Sequence, residues 1–330
     1  MKRNVLVPLL ALALTCAAAE AQVLQIKIAT VAPENSPWAT GLRKLAADWE
    51  RVSSGRIAVK LYLGTPGDEA DILQKMRFGL DAGVLSSTSI ARITEDVMAL
   101  SLPGLLVDDA SIERGLSAAR PILEREIAKE GMVVVAWTKA GWARIFSRKP
   151  IDSVAAFKGL RFAVPSDDSH LTPILQGLGA VPIRTETSAV IQRLTTGALD
   201  AMVYSPLLVS AQWSFFRSSI AAVSDDPVAP VFGALVVTKK TWDKVPAELK
   251  PALIAAAEAA AEEISRESDR YEELGIAAMV RDGLVRTKLD AAAAAEWRRT
   301  FAVTRDRYAP TLFSKEIVDA LMRAAGASAP

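Results

Sequence analysis

The sequence predicts an α/β fold with room for two lobes. Three observations lead there. Short β-rich runs alternate with longer helical ones, the pattern of sheets covered by helices. The chain has 330 residues, enough for about two cores of ordinary size. A segment rich in Ala and Glu, 248–279, reads as one helix, and at about 1.5 Å per residue it can cross the whole molecule.

The first 21 residues stand apart from that pattern. Lys2 and Arg3 precede an apolar run, 5–14, and small residues then end in Ala19-Glu20-Ala21. This is the pattern of a secretory signal peptide, and the run is about half the length of a membrane span. Its removal leaves acidic and basic residues in equal number and takes away Cys16, the only cysteine. Thr15 before it makes Cys16 a poor lipidation site.

The elements follow in order. Residues 24–30 (LQIKIAT) alternate and are β-branched, so they form a strand. Ser36 caps a helix that starts at Pro37 and carries Trp38, Leu42, Leu45, Ala46 and Trp49 at helical spacing. Ser53-Ser54-Gly55 ends it. Residues 56–63 are a second strand and 68–78 a second helix, closed by Gly79. Further strands fall at 132–137, 160–164, 201–204 and 232–238. Helical turns or helices fall at 154–158, 171–178 and 188–196. After the long helix, 289–308 and 314–324 close the chain as helices.

Composition excludes several functions. With 39 Lys+Arg against 38 Asp+Glu, the chain lacks the basic excess that nucleic acid requires. One His and one Cys exclude a two-His zinc site, an internal disulfide and Cys-based metal clusters. No G-x-S-x-G elbow supports an exported hydrolase, although that reading stays open as an alternative. Asp167-Asp168-Ser169-His170 reads as a loop with a helix cap. No cofactor is expected.

Three passages together resemble the substrate-binding proteins of TRAP transporters, the DctP family. The first is the strand at 26–30, the amphipathic helix, and Ser54-Gly55-Arg56-Ile57-Ala58-Val59, followed by Gly67-Asp68-Glu69. The second is Arg148-Lys149-Pro150-Ile151 leading to Phe157-Lys158-Gly159-Leu160-Arg161-Phe162-Ala163-Val164-Pro165. The third is Leu178-Gly179-Ala180-Val181-Pro182, then Leu194-Thr195-Thr196-Gly197-Ala198-Leu199-Asp200. The resemblance implies a type II periplasmic-binding-protein-like fold. Two α/β lobes would close around a ligand cleft, with the long helix crossing both. It implies lobe I at 22–141 plus 231–262 and lobe II at 142–230 plus 263–330. It also implies periplasmic capture of a small organic ligand, delivery to TRAP membrane permease subunits, and no catalysis. A periplasmic helical-repeat protein is a further partner on the same reading.

The sequence departs from the family where the ligand is held. The family binds a carboxylate with an Arg at the position occupied here by Ala163. A planar guanidinium suits that task because it meets both carboxylate oxygens. Arg161 takes a position where the family has Lys. A second family Arg aligns with Ala143, next to Arg144, which strand alternation sends to the opposite face. The expected cleft set is therefore Val31, Ser86, Ser87, Trp142, Arg144, Ala163, Thr187, Met202, Tyr204, Trp213 and Phe232. Trp142, Trp213 and Phe232 suit core positions equally well. Neutral aromatic walls with a few hydroxyls fit an uncharged or hydrophobic ligand. The competing reading is an ordinary carboxylate or C4-dicarboxylate binder with Arg144 or Arg161 relocated into the cleft.

Overall fold

The computed structural model describes residues 23–65, 67–166 and 168–326. The expected signal peptide, with Cys16, and Asp167 lie outside the described residues. Leu24–Ala29 (β1) alternates so that Ile26 and Ile28 enter the core. Ser36 then caps Pro37–Val52 (α1), its Oγ accepting the Ala39 N–H at 3.2 Å. Ile57–Tyr62 (β2) runs parallel to β1. Asp68 and Asp71 form a capping box at the start of Glu69–Arg77 (α2). Ala82–Ser86 (β3), the turn Ser87–Ile90 (α3) and Asp109–Lys129 (α4) follow.

Met132–Ser147 (β4) then leads into a second series of units. These are Val154–Phe157 (α5), Arg161–Val164 (β5), Leu171–Gly177 (α6), Val181–Arg184 (β6), Val190–Thr195 (α7) and Ala201–Tyr204 (β7). Pro206–Ala211 (α8), Trp213–Phe216 (α9) and Ala222–Ser224 (β8) bring the chain to Ala229–Thr238 (β9). Lys239–Trp242 (α10) precedes the 32-residue helix Lys250–Arg281 (α11). Val285–Thr287 (β10), Ala291–Leu312 (α12) and Lys315–Ala324 (α13) complete the fold.

Two α/β lobes share one strand. The sheet order is β2-β1-β3-β9-β4-β7-β5-β6, with β8 beside β4 and β10 beside β8. From Met132 to Ala143, β4 pairs with β9; from Arg144 to Ser147 it pairs with β7. Helix α11 lies over β4 and against α1, where Gly41 leaves space that Ile264 fills. Trp49 of α1 donates its Nε1–H to the Leu253 carbonyl at 2.9 Å. One core holds Ile26, Ile28, Trp49, Val237 and Leu253. Another, in the second lobe, holds Phe146, Leu194, Met202 and Ile276. A third apolar cluster runs from Leu85 and Phe232 to Phe157, Phe162 and Trp297.

Several elements differ from the sequence expectation. The strand expected at 132–137 continues to Ser147. Thr138, Lys139 and Gly141 interrupt its apolar run, but distant partners accommodate them. The Thr138 hydroxyl donates to the Ala261 carbonyl at 2.8 Å, and Lys139 Nζ donates to Asp109 and Asp269. The sequence reading placed no element between residues 80 and 131, where β3 and α4 stand. β3 is built on small residues, Ala82 and Gly83, and α4 carries Pro121 in its interior. Both features weaken a local signal. The helix expected at 188–196 opens with a 3-10 turn, Thr187–Ala189.

Candidate functional site

Ligands of α/β sheets sit beyond the carboxyl ends of the parallel strands. Here β1 and β3 end at Ala29 and Ser86, while β5, β6 and β7 end at Val164, Arg184 and Tyr204. The loops beyond these two sets meet. His170, after β5, brings Nε2 to 3.6 Å from Oε2 of Glu95, in the segment after β3. The His170 ring stacks on Phe313 at 5.2 Å. As the loop reading expects, the Asp168 carboxylate accepts the N–H groups of Leu171 and Thr172 at the start of α6.

Part of the expected set gathers at these strand ends. Val31 follows β1 and packs half-buried against the cluster that reaches both lobes. Ser86 ends β3, with its N–H and hydroxyl both donating to Glu69 Oε2, at 2.8 and 2.6 Å. Ser87 is buried in the first turn of α3. Thr187 stands exposed after β6. Tyr204 ends β7 half-buried, and burial pushes its phenol upward, which keeps the hydroxyl neutral.

The other members are set back from these ends, Ala163 by one residue. Ala163 and Met202 belong to the second lobe's core, and Phe232 is fully buried beside Leu85. Of these three, Phe232 answers to the core reading. Trp213 is half-buried on α9 and donates its Nε1–H to Asp282 at 2.7 Å, beyond the end of α11. The Trp142 ring lies 5.0 Å from Lys139 Nζ, which is itself paired with Asp269 of α11. Arg144 is buried, donating to the Ser224 carbonyl at 3.2 Å and to Glu273 of α11 at 3.3 Å. Burial pulls its guanidinium below the usual arginine range.

Arg161 and Arg184 are also committed. Arg161 opens β5, at the end of that strand away from the loop. It grips Asp200 through Nε at 2.8 Å and Nη2 at 2.7 Å. Arg184 donates to the carbonyls of Ser166 and Asp168, bracing the loop after β5. Arg77 lines a cavity of about 410 Å³ at the opposite end of β3, with Asp81 and Met132.

Three contributors escaped the sequence reading. Trp38, one of the helically spaced residues of α1, reaches over Gly233 of β9 beside the end of β3. Its place in the first turn after β1 was the available signal. Glu69 anchors Ser86, and Glu272 of α11 accepts the Trp142 N–H; both contacts depend on long-range folding. Among the described residues, no group of three or more His, Cys, Asp or Glu could hold a metal ion. No described helix is long and apolar enough to cross a membrane.

Residues 28–311 match the family model DctP, bacterial extracellular solute-binding protein, family 7. The chain belongs to the DctP family. Membership makes it a solute-binding receptor of the TRAP type. The C4-dicarboxylate-binding periplasmic protein DctP of Rhodobacter capsulatus is 24% identical over 242 residues, 71% of this chain and 70% of that one. Among solved structures, a TRAP periplasmic solute-binding protein of Ochrobactrum anthropi has a TM-score of 0.82 at 19% identity. It covers 93% of this chain and 96% of its own, with its C-terminus bound in the ligand-binding pocket. One from Roseobacter denitrificans, with bound β-D-glucuronate, has a TM-score of 0.77 at 20% identity and covers 92% of this chain and 100% of its own. These likenesses show the two-lobed fold.

Proposed function

We propose that this DctP-family receptor closes its lobes around an uncharged or largely apolar organic solute and hands it to TRAP permease subunits. One observation carries the ligand class. Ala163 replaces the arginine expected from the family, while Arg144, Arg161 and Arg184 are each held by partners of their own. A carboxylate buried without a cation or several donors costs on the order of several kcal/mol. Relatives named above take acids, a C4-dicarboxylate and β-D-glucuronate. On this reading the present member has diverged in ligand class while keeping the fold.

The lobe limits at 141/142, 230/231 and 262/263 belong to the same reading, and the change of β4 partners between Ala143 and Arg144 supports the first of them. So do export to the periplasm, the absence of turnover, and a helical-repeat protein as a second partner. Capture with the products of adjacent genes tests that partner, and an ester and phosphoester panel tests turnover.

The ligand class is tested by titrating the purified protein while following its seven tryptophans. Neutral apolar ligands are expected to change the fluorescence saturably, and succinate-sized diacids to leave it unchanged. Tight diacid binding, lost in Arg144→Ala or Arg161→Ala, supports the relocated-arginine reading instead.

A further inference from the structure

Helix α11 crosses β4 close to where that strand changes partners. The β4–β9 register slips between Lys139 and Gly141, and Gly141 takes φ 128°, a backbone region that side chains rarely adopt. Glu272 of α11 fills the space this creates. Its side chain is buried, and a Cβ on Gly141 would overlap its carboxyl group. Both Glu272 oxygens accept the Trp142 N–H at 3.1 Å, and Oε1 also accepts the Ser205 hydroxyl at 3.1 Å. Ser205 caps α8, which leaves β7. One buried carboxyl thus joins the shared strand, the helix after β7 and the crossing helix.

The charged groups around it are otherwise engaged. On β4, Arg144 bonds Ser224 and Glu273, and Lys139 bonds Asp109 of α4 and Asp269 of α11. At the β8–β10 edge, Arg286 bonds Asp225 and Glu273. No cation donates a hydrogen bond to Glu272 among the described residues. Arg144 Nε is buried without a partner beside this group.

We infer that Glu272 is the positioning residue of the hinge: lobe opening that shears β4 against α11 hydrates this carboxyl and releases its proton. The inference rests on the two-lobe reading and is independent of ligand class. Burial pushes the Glu272 carboxyl up to about 7, from the ordinary 4.5; the Trp142 N–H and Ser205 hydroxyl act in the opposite direction. The sign follows from linkage. An opening that returns the group to its ordinary value releases a proton between those two values. Opening therefore becomes easier as pH rises, by up to about tenfold per pH unit, and levels off above about 7. The closed arrangement is firmest on the acid side.

Hydrogen exchange of the Trp142 amide in the ligand-free full chain, between pH 5.5 and 8 and corrected for intrinsic rate, measures this. In the wild type the opening constant is expected to rise to about pH 7 and then level off. In Glu272→Gln it is expected to stay flat. Removing a donor in Ser205→Ala is expected to move the midpoint to higher pH, which tests the idea even if Glu272→Gln does not fold. A purely packing role predicts the same change in protection at every pH. A flat wild-type profile, or an unchanged slope in Glu272→Gln, overturns the inference. A ligand class that proves acidic leaves this experiment untouched. Small-angle scattering that shows one rigid body with and without ligand removes the two-lobe reading separately.

Discussion

Asp200 is held as an anion by three donors: the Arg161 N–H at 2.9 Å, Nε at 2.8 Å and Nη2 at 2.7 Å. The Arg161 side chain, by its hydrogen bonds, keeps this carboxyl below the ordinary aspartate range despite partial burial. A lowered carboxylate stabilises the fold above its unfolded value and stops doing so as pH falls through its folded value. Asp200→Asn should therefore cost about 1–2 kcal/mol near pH 7 and less in acid, as chemical denaturation across pH will measure. Glu272 has the opposite sign. Its raised value means that its contribution is fully present below about 4.5 and is lost as pH rises through about 7. Glu272→Gln should narrow the difference in melting temperature between pH 5 and pH 8. At this scale the sequence shows that the arginine expected at position 163 is missing. It does not show where Arg144 goes. Strand alternation turns it away from the Ala143 face, but its meeting with Ser224 and Glu273 joins residues far apart in the chain.

Local rules carry through the elements that have clean caps. Ser36, Asp68, Ser153 and Ser314 all begin helices where the sequence implied them, and each side chain accepts a backbone N–H. β4 is different because its polar middle is satisfied by α4 and α11. Hydrogen exchange should show one continuous protected strand across 132–147, with no unprotected gap after Trp137. Gly141 lies within it, and both its φ of 128° and the nearby Glu272 carboxyl oppose a side chain. Gly141→Ala should lower stability by about 1–3 kcal/mol in a denaturant titration, more than glycine-to-alanine changes at ordinary φ. Helix α4 was hidden by Pro121. Its first turn is nevertheless fixed by the reciprocal bonds of Asp108 and Ser111, so Asp108→Ala should lower the midpoint of a denaturant titration.

For the whole molecule, the alternation of strands and helices and the 32-residue α11 made the architecture legible before any contact was known. The cleft was less legible. Val31, Ser86, Ser87, Thr187 and Tyr204 reach the facing strand ends, because their places at the close of strands fix them there. Ala163, Met202 and Phe232 are buried in apolar clusters, which a short strand period does not predict because it does not say which face another lobe or helix covers. The members of the expected set that stand at the strand ends are hydroxyl-bearing or apolar, and Arg144, Arg161 and Arg184 are held by partners of their own. Native mass spectrometry of the protein as purified from cells tests that account most directly. A neutral, predominantly apolar organic molecule bound in equal proportion is the predicted result. A carboxylic acid released in that proportion contradicts it.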